Sequence, residues 1–223
     1  MWLQIQRLVA LLVLVMLLPF ITLLCLLVVF TSKGPFLYSQ LRPGRNGIPM
    51  RVWKIRTMNP GADSNTKFAR GVTNDCPEIT AIGKVLRQLK LDELPQLWNI
   101  VKGEMTFVGP RPIAFSLHQE LCEQIPDFEK RNSVHPGLSN IAQVSIEENS
   151  DQQSVIRDWR ERFQAELHYI NNQSIAYDLI VIAMTALYVF RKLLKITVLA
   201  AVFTDAQSSR NTSRLQFFGR QNS

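Results

Sequence analysis

The sequence has few cysteines and lacks the spacings in which cysteine and histidine commonly hold small domains together. Its three cysteines, Cys25, Cys76 and Cys122, are far apart and odd in number. No Cys-x-x-Cys or His-Glu-x-x-His pattern occurs, which excludes the common zinc arrangements and argues against a disulfide framework. We therefore expect reduced thiols, as in proteins that face the cytosol.

Charge is also scarce, and it is biased toward one sign. Only 19% of the residues are charged, and 25 basic residues against 18 acidic ones give a net charge of +7. A basic protein suits an anionic partner such as nucleic acid, phospholipid headgroups or a phosphorylated substrate. The chain has no internal repeat, no interleaved aromatic residues and no recognisable reading helix, so a nucleic-acid binder is disfavoured.

A long apolar run near the N-terminus is the most conspicuous feature of the sequence. It extends without a charge from Leu8 to Phe30, and as a helix it would measure roughly 35 Å, enough for a hydrocarbon core of about 30 Å. A cleaved signal peptide is disfavoured because the run is too long and ends in Val28-Val29-Phe30, without small residues.

Two arrangements of this run remain open from the residues themselves. The first is a straight transmembrane helix, which its length permits. The second is a re-entrant helix that turns back at Pro19, where a backbone hydrogen bond is lost. Arg7 precedes the run, and Lys33 and Arg42 follow it. Cytoplasmic flanks are rich in basic residues, so this symmetry favours both ends on one side.

The remaining chain has the pattern of a folded domain with short elements. Residues 36–38 and 50–55 are β-capable and are separated by a turn at 42–47, which predicts a hairpin. Residues 59–74 are rich in turn-forming residues and predict a mobile loop. Helical spacing predicts helices at 82–91, from Pro95 to Gly103, at 113–125 and at 154–170.

The apolar segment Asp178–Phe203 is interrupted by Arg191, Lys192 and Lys195. Its uncharged part is too short to span a bilayer. A helix lying among lipid headgroups and a buried core helix both fit this pattern, and we prefer the first. The tail after Asp205 is polar and basic, which predicts disorder.

Two adjacent carboxylates in the segment Lys90-Leu91-Asp92-Glu93-Leu94-Pro95-Gln96 are the best candidates for chemistry. On one helical turn they point about 100° apart, so one could attack a substrate while the other holds a metal. We expect the N–H groups of a helix opened by Pro95 to keep both carboxylates ionised. An ionised aspartate can form an acyl-phosphate intermediate. Solvated charges at a helix start are the alternative.

Basic residues could complete such a site. Arg111 stands between two prolines in Gly109-Pro110-Arg111-Pro112, and guanidinium groups bind phosphate oxygens in a two-bond geometry. Lys54 and Arg56 would share one face if residues 54–57 form a strand. A nucleophile, charge neutralisation and positioning are what phosphoryl transfer requires.

These residues resemble the catalytic domain of the monotopic polyprenyl-phosphate phosphoglycosyltransferases, the bacterial sugar transferases, from about Arg7 to Lys195. The matching positions are Gly34-Pro35-Phe36, Gln40, Arg42, Lys54-Ile55-Arg56-Thr57-Met58, Ile79-Thr80, Gly83, Leu91-Asp92-Glu93-Leu94-Pro95-Gln96-Leu97-Trp98-Asn99, Lys102-Gly103-Glu104-Met105, Val108-Gly109-Pro110-Arg111-Pro112, Pro136-Gly137, Ala142-Gln143-Val144, Tyr169, Ser174, Asp178 and Thr185. Each match is weak alone, but their order is specific.

The resemblance implies an activity and a set of roles. The activity is transfer of a sugar 1-phosphate from a nucleoside diphosphate sugar, with uridine as the implied base, to polyprenyl phosphate. This step would initiate assembly of an exopolysaccharide, a capsule, O-antigen or a glycoprotein glycan. Asp92 would be the catalytic nucleophile that forms a covalent phosphosugar intermediate. Glu93 would take part in catalysis and help hold Mg²⁺, and Arg111 would bind substrate phosphate, with Lys54 and Arg56 on the same phosphate-binding surface.

The resemblance also implies the architecture, which is an α+β fold that is mainly helical. A re-entrant membrane helix hinged at Pro19 would cover residues 1–33, followed by a catalytic domain at 34–204 and a tail at 205–223. The domain would contain a small β-hairpin and several surface and interfacial helices around one catalytic core, on the cytoplasmic face of the bacterial inner membrane. The expected partners are the nucleotide sugar, polyprenyl phosphate and membrane lipids, not nucleic acid.

The chain departs from the family pattern at several positions. Gln6-Arg7 stands where Lys-Arg is usual, and Ala10 takes the place of an aspartate. Ser139-Asn140 replaces a Thr-Gly pair, the Asn-Gly-Arg stretch after Val144 is missing, and Glu166 stands at an expected aspartate. Substrate identity is therefore the least defined property. A non-enzymatic scaffold that recruits other assembly proteins is the main rival to an enzyme, and the sugar, the glycan and the oligomeric state stay open.

Overall fold

The computed structural model describes residues 1–59, 76–142 and 155–194. The predicted loop at 59–74 and the predicted tail at 205–223 fall almost entirely outside these residues. The chain divides into two compact units, Met1–Thr185 and Ala186–Ser223. In the second unit, residues 186–194 are helical, and Lys192 Nζ lies 4.7 Å from the ring centre of Tyr188.

The apolar N-terminal run forms one long helix, α1, over Trp2–Thr31. Among the described residues it is the one helix long and apolar enough to cross a membrane, by length and composition. Its helical backbone continues through Pro19, so a turn-back at this residue stays a prediction. Large apolar side chains such as Val15, Met16 and Phe30 are exposed on its outer side.

The inner side of α1 packs against the rest of the first unit along most of its length. Ala10 is fully buried with Ile100 and Met105, and further along the helix Leu24 and Val28 pack with residues of the next elements. Burial of each large apolar side chain contributes about 1.5–3 kcal/mol. This packing fixes the helix to the domain from one end to the other.

The predicted hairpin is present, with longer strands and a shorter turn than the sequence suggested. Strand β1 covers Leu37–Pro43 and pairs antiparallel with β2 at Pro49–Ile55. Asn46 and Gly47 adopt positive φ in the turn, as Asn and Gly readily do. Met50 and Val52 point into the core while Arg51 between them is exposed, which is the alternation of a half-buried strand.

The sequence predicts one helix at 82–91 and a second at 95–103, but the structure has three helical elements in this segment. Helix α2 covers Ala81–Gln88, a 3₁₀ helix covers Leu91–Gln96, and α3 covers Leu97–Lys102. The Thr80 side chain caps α2 by accepting from the N–H of Gly83 over 2.9 Å. Lys90, with φ 58°, ends α2 early, and Gly103, with φ 81°, ends α3 as predicted.

The first unit also contains a second pair of strands, which the sequence did not predict. Strand β3 at Thr106–Val108 runs parallel to β4 at Gly137–Ser139. The two backbones approach closely: a Cβ on Gly137 would lie 2.0 Å from the amide nitrogen of Gly109. Glycine is required here because no larger residue fits, and the contact brings the loop after β3 against the loop before β4.

The C-terminal half of the first unit is helical, as predicted. Helix α4 covers Phe115–Gln124, a 3₁₀ helix covers Phe128–Ser133, and α5 covers Val155–Asn171. Their shared core contains Leu121, Phe128 and Phe163. The next helix, α6, covers residues 175–185 of this unit. Overall the fold is mostly helical with a small antiparallel hairpin, as expected for the fold class.

The start of α1 is tied to α6 through a buried carboxylate. Asp178 accepts from Trp2 Nε1 over 2.8 Å and from the Tyr169 hydroxyl over 2.7 Å. Two further contacts fix the same end of α1: the Phe107 N–H donates to Gln6 over 2.9 Å, and Arg7 Nε donates to the Val101 carbonyl over 2.8 Å. The departures from the family pattern at Gln6 and Ala10 therefore leave this helix firmly attached.

Candidate active site

Three of the predicted site residues meet at one carboxylate oxygen. Glu93 Oε1 accepts from Lys54 Nζ over 2.7 Å and from Arg111 Nη2 over 2.9 Å. Lys54 comes from β2, Glu93 from the Leu91–Gln96 3₁₀ helix, and Arg111 from the loop after β3. This arrangement is consistent with the prediction that Lys54, Glu93 and Arg111 form one site.

The backbone around Lys90 orients the two adjacent carboxylates. A non-glycine residue at positive φ is uncommon, and here it turns the chain from α2 directly into the tight 3₁₀ helix. Both Asp92 and Glu93 lie in the first turn of that helix and are buried, each 6% exposed. The carboxylates are therefore held inside the protein surface, where solvent screens their interactions weakly.

Two opposing effects act on the Glu93 carboxylate. Burial alone raises the pKa of a carboxyl group, but the positive charges of Arg111 and Lys54 outweigh it and hold the pKa of Glu93 well below its usual range. Glu93 is therefore ionised. The expected cause, the N–H groups of a helix opened by Pro95, is wrong, because Pro95 lies within the 3₁₀ helix and two side-chain cations surround Glu93.

Asp92 has a different environment from its neighbour. In the described part of the chain its carboxylate accepts no hydrogen bond and forms no ion pair. Burial raises the pKa of Asp92, and the positive charge of Lys54 opposes this increase. A carboxylate without hydrogen-bond partners keeps its lone pairs for reaction, and partial desolvation makes it a stronger base and nucleophile.

Two further arginines contribute to the site, although neither was predicted to be a site residue. Arg42 donates to the Pro112 carbonyl and to Gln40, so it supports the loop that carries Arg111. Burial and the nearby Arg111 charge lower the pKa of Arg42 to about 10. Arg87 donates to Thr57 Oγ1 over 2.9 Å, and its charge opposes the increase in the pKa of Asp92 that burial causes. Arg42 is one of the positions that match the family pattern, whereas Arg87 lies in no motif that distinguishes it from surface charge.

Arg56 does not join this cluster. Strand β2 ends at Ile55, so the assumption that residues 54 and 56 share a strand face fails. The Arg56 guanidinium instead donates to the Ser32 and Lys33 carbonyls at the end of α1. These contacts anchor the C-terminal end of the apolar helix, and the assignment of Arg56 to the phosphate-binding surface stays a prediction.

The carboxylate pair is compatible with Mg²⁺ although it is small. No group of three or more His, Cys, Asp or Glu side chains suited to a metal occurs in residues 1–59, 76–142 and 155–194. Mg²⁺ is usually held by one or two carboxylates together with substrate phosphates. Asp92 and Glu93 are adjacent, buried and of the right donor type, so the residues present fit a metal that arrives with a phosphorylated ligand.

Comparisons with known proteins show which sequences this chain resembles. The sequence matches the family model described as bacterial sugar transferase over residues 3–192. It is 34% identical over 174 residues to a UDP-glucose:undecaprenyl-phosphate glucose-1-phosphate transferase of Klebsiella pneumoniae, covering 78% of this chain and 37% of that protein. The exopolysaccharide production protein PSS of Rhizobium leguminosarum bv. phaseoli is 35% identical over 176 residues, covering 76% of this chain and 84% of that protein.

A third relative carries a different sugar in its name. The UDP-N-acetylgalactosamine-undecaprenyl-phosphate N-acetylgalactosaminephosphotransferase of Aeromonas hydrophila is 31% identical over 168 residues, covering 75% of this chain and 38% of that protein.

The fold and the site define a protein with an apolar helix beside a buried, cation-lined carboxylate pair. The chain belongs to the bacterial sugar transferase family, because the family model covers nearly all of it. It spans well under half the length of some relatives, 37% of the K. pneumoniae protein, and most of the length of others, 84% of the Rhizobium protein.

Proposed function

We propose that this protein transfers a sugar 1-phosphate from a UDP-sugar to polyprenyl phosphate at the bacterial inner membrane, with its catalytic domain on the cytoplasmic face. The single observation that carries the proposal is the contrast between two neighbours. Asp92 accepts no hydrogen bond within the described chain, while Glu93 is bonded to both Lys54 and Arg111. One carboxylate is left available for reaction, and the other holds the cations in place.

The proposed reaction proceeds in two displacements. An oxygen of ionised Asp92 attacks the sugar-linked phosphorus of the nucleotide sugar. The bond from that phosphorus to the bridging oxygen breaks, and the nucleoside monophosphate leaves with the electron pair. An oxygen of polyprenyl phosphate then attacks the phosphorus of the phosphosugar-aspartate, releasing Asp92 and forming the lipid diphosphate sugar. Covalent catalysis of this kind divides one difficult step into two easier ones.

The fixed cations supply charge stabilisation in both steps. Arg111 is paired with the Glu93 carboxylate, and its guanidinium N–H groups are donors suited to phosphate oxygens. Its side chain is 25% exposed, whereas that of Glu93 is 8% exposed, so Arg111 can contact a ligand while it remains bonded to Glu93. Donors that are already in place when negative charge develops on the phosphoryl oxygens lower the barrier without reorganisation.

Glu93, with Asp92 beside it, would hold Mg²⁺ that arrives with the phosphorylated substrate. When bound, the metal would neutralise charge on the phosphoryl oxygens. The contribution of the protein is to keep Glu93 ionised through Lys54 and Arg111, and so to keep an oxygen ligand available at neutral pH.

The packing of α1 supports placing both ends of the membrane helix on the same side of the bilayer. Gln6 and Arg7 near its start and Ser32 at its end are all hydrogen-bonded to the same compact unit. A helix that crossed the membrane would carry one end about 30 Å away from that unit. The exposed apolar outer side of α1 then faces lipid, and Pro19 remains the proposed hinge of a re-entrant helix.

The names of the relatives guide the choice of substrate. They specify UDP-glucose in one case and UDP-N-acetylgalactosamine in another, with undecaprenyl phosphate as the common acceptor. The shared features are the uridine nucleotide and the lipid phosphate, and we propose both for this chain. The product would initiate assembly of a polysaccharide such as an exopolysaccharide, since a relative of similar length is named for exopolysaccharide production.

The proposal is tested by incubating the purified full chain with a panel of nucleotide sugars, with and without polyprenyl phosphate, and measuring nucleoside monophosphate. We expect UMP release from at least one UDP-sugar, and multiple turnovers only when the lipid phosphate is present. Absence of release from every donor would contradict the proposal and favour a scaffold that keeps the fold without the reaction.

A further inference from the structure

The backbone of Arg111 is held on both sides by buried side chains. Its N–H donates to Glu166 Oε1 over 3.1 Å, and its carbonyl accepts from Arg131 Nη2 over 2.8 Å. Glu166 and Arg131 also bind each other through two hydrogen bonds of 2.8 and 2.9 Å, and each side chain is 2% exposed. A two-bond ion pair of this kind fixes both partners, so the main chain at Arg111 is attached to a rigid frame.

Asn140 completes this frame from the other side of the loop. Its Nδ2 donates to Glu166 Oε1 over 2.9 Å and to the Gly109 carbonyl over 3.1 Å. Its Oδ1 accepts from the N–H of Ala142 over 2.6 Å, which fixes the orientation of the amide. Asn140 is 3% exposed, and it bonds to the loop two residues before Arg111 as well as to the carboxylate that holds Arg111 itself.

Positions 140 and 166 are two of the places where this chain departs from the pattern it otherwise resembles, in which glycine and aspartate are expected. The structure joins the two departures by a direct hydrogen bond. Glycine has no side chain to make such a bond, and aspartate is shorter by one methylene, so neither expected residue would supply the same contact. The two residues are therefore best understood as one unit.

We propose that Asn140 and Glu166, with Arg131 as the counter-charge, are positioning residues that hold the Arg111 guanidinium in place over the substrate phosphate. The inference rests on the proposed function, which assigns Arg111 to that phosphate. Arg111 in turn binds Glu93 over 2.9 Å, so a displacement of its main chain disturbs the carboxylate centre as well. Displacements of about 1 Å can cost roughly 10²-fold in rate.

A double-mutant cycle between Asn140 and Arg111 tests this inference. The measurement is kcat/KM for UMP release by the full chain in the presence of polyprenyl phosphate. We expect Asn140→Ala to lower kcat/KM by roughly tenfold or more in the protein with Arg111. In an Arg111→Ala background the same change should cost less than about twofold, because the group it positions is absent. An equal fold loss in both backgrounds would overturn the inference.

Asn99→Ala is the matched control. Asn99 is also fully buried, but its amide bonds to the Arg51 carbonyl and to Glu104 and not to the Arg111 loop. Any loss it causes should be equal in the two backgrounds. Asn140→Gly, which restores the expected family residue, provides a second variant with the same predicted coupling. If Arg111→Ala alone had unchanged activity, the role of Arg111 in the proposed function would fail together with this inference.

Discussion

Lys54 and Glu93 are 39 residues apart in the sequence, yet Nζ of the first lies 2.7 Å from Oε1 of the second, and both side chains are largely buried. This contact joins the hairpin to the 3₁₀ helix that carries Asp92. Two buried opposite charges stabilise each other only when their geometry is good and further bonds satisfy them. Here Arg111 provides a second cation for the same oxygen, so the charge arrangement of the site depends on all three residues.

The first prediction concerns the lysine of this pair. Lys54→Met removes one of the two cations at Glu93 and the largest positive influence on Asp92. We expect kcat/KM for UMP release to fall roughly 10²-fold, the magnitude associated with loss of one preorganised charge. Arg51→Met is the control, because Arg51 lies on the same strand but is exposed. Equal activity of the two variants would contradict the role given to Lys54.

The second prediction is a shift in pH dependence. Burial raises the pKa of Asp92, and the charge of Lys90 is among those that oppose the increase. The nucleophile must be ionised, so activity is lost as the pH falls through the pKa of Asp92. Lys90→Asn removes a charge that lowers this pKa while keeping a residue that tolerates positive φ. The acid limb of the kcat/KM profile should therefore move to higher pH.

Lys84→Gln serves as the control for the pH experiment. Lys84 is exposed on α2, and its charge is not among those acting on Asp92, so its acid limb should coincide with that of the unmodified protein. A Lys90→Asn profile that moved to lower pH would show that Asp92 does not govern the acid limb.

The third prediction separates Arg56 from the phosphate-binding residues. Arg56→Gln removes donors to the Ser32 and Lys33 carbonyls and loosens the end of α1. We expect a lower melting temperature in detergent, because hydrogen bonds to charged groups contribute roughly 1.5–3 kcal/mol to stability. We expect KM for the UDP-sugar to change less than about twofold. A large increase in KM at unchanged melting temperature would instead support a role of Arg56 in phosphate binding.

The fourth prediction concerns the close backbone contact between Gly137 and Gly109, which lies two residues before Arg111. An added methyl group on Gly137 would lie 2.0 Å from the Gly109 nitrogen, a backbone atom that cannot move aside easily. We expect Gly137→Ala to destabilise the protein by at least about 2 kcal/mol, measured as a decrease in melting temperature. Gly47→Ala is a useful comparison, because nothing lies within 4 Å of its added carbon and only its positive φ opposes the change. A destabilisation no greater than that of Gly47→Ala would contradict the tight contact.

Residue periodicity was sufficient to predict most of the helices and the hairpin. Helix α4, predicted at 113–125, occupies Phe115–Gln124, and α5, predicted at 154–170, occupies Val155–Asn171. Strands β3 and β4 were missed because three residues are too few to display an alternating pattern. The early end of α2 was missed because it depends on positive φ at Lys90, a conformation that lysine does not signal.

The candidate site could be predicted only in part. Lys54, Glu93 and Arg111 were identified as candidates from their residue chemistry and received roles from the resemblance, and the structure brings them together. Arg56 contacts the end of α1 instead of this cluster, and the sequence did not indicate these contacts. The contacts of Glu166 and Asn140 with the Arg111 loop could not be predicted, because they join residues 55 and 31 positions away from their partners and only the folded chain brings them close.

Trapping the covalent intermediate is the most direct test of the account. The full chain and an Asp92→Asn variant would be incubated with a UDP-sugar labelled in the sugar, without polyprenyl phosphate, and the denatured protein examined for bound label. We expect label on the unmodified protein that is released by polyprenyl phosphate added before denaturation, and none on the variant, which should also have no turnover. Turnover or labelling of the Asp92→Asn protein at the level of the unmodified chain would contradict the central claim that this carboxylate is the nucleophile.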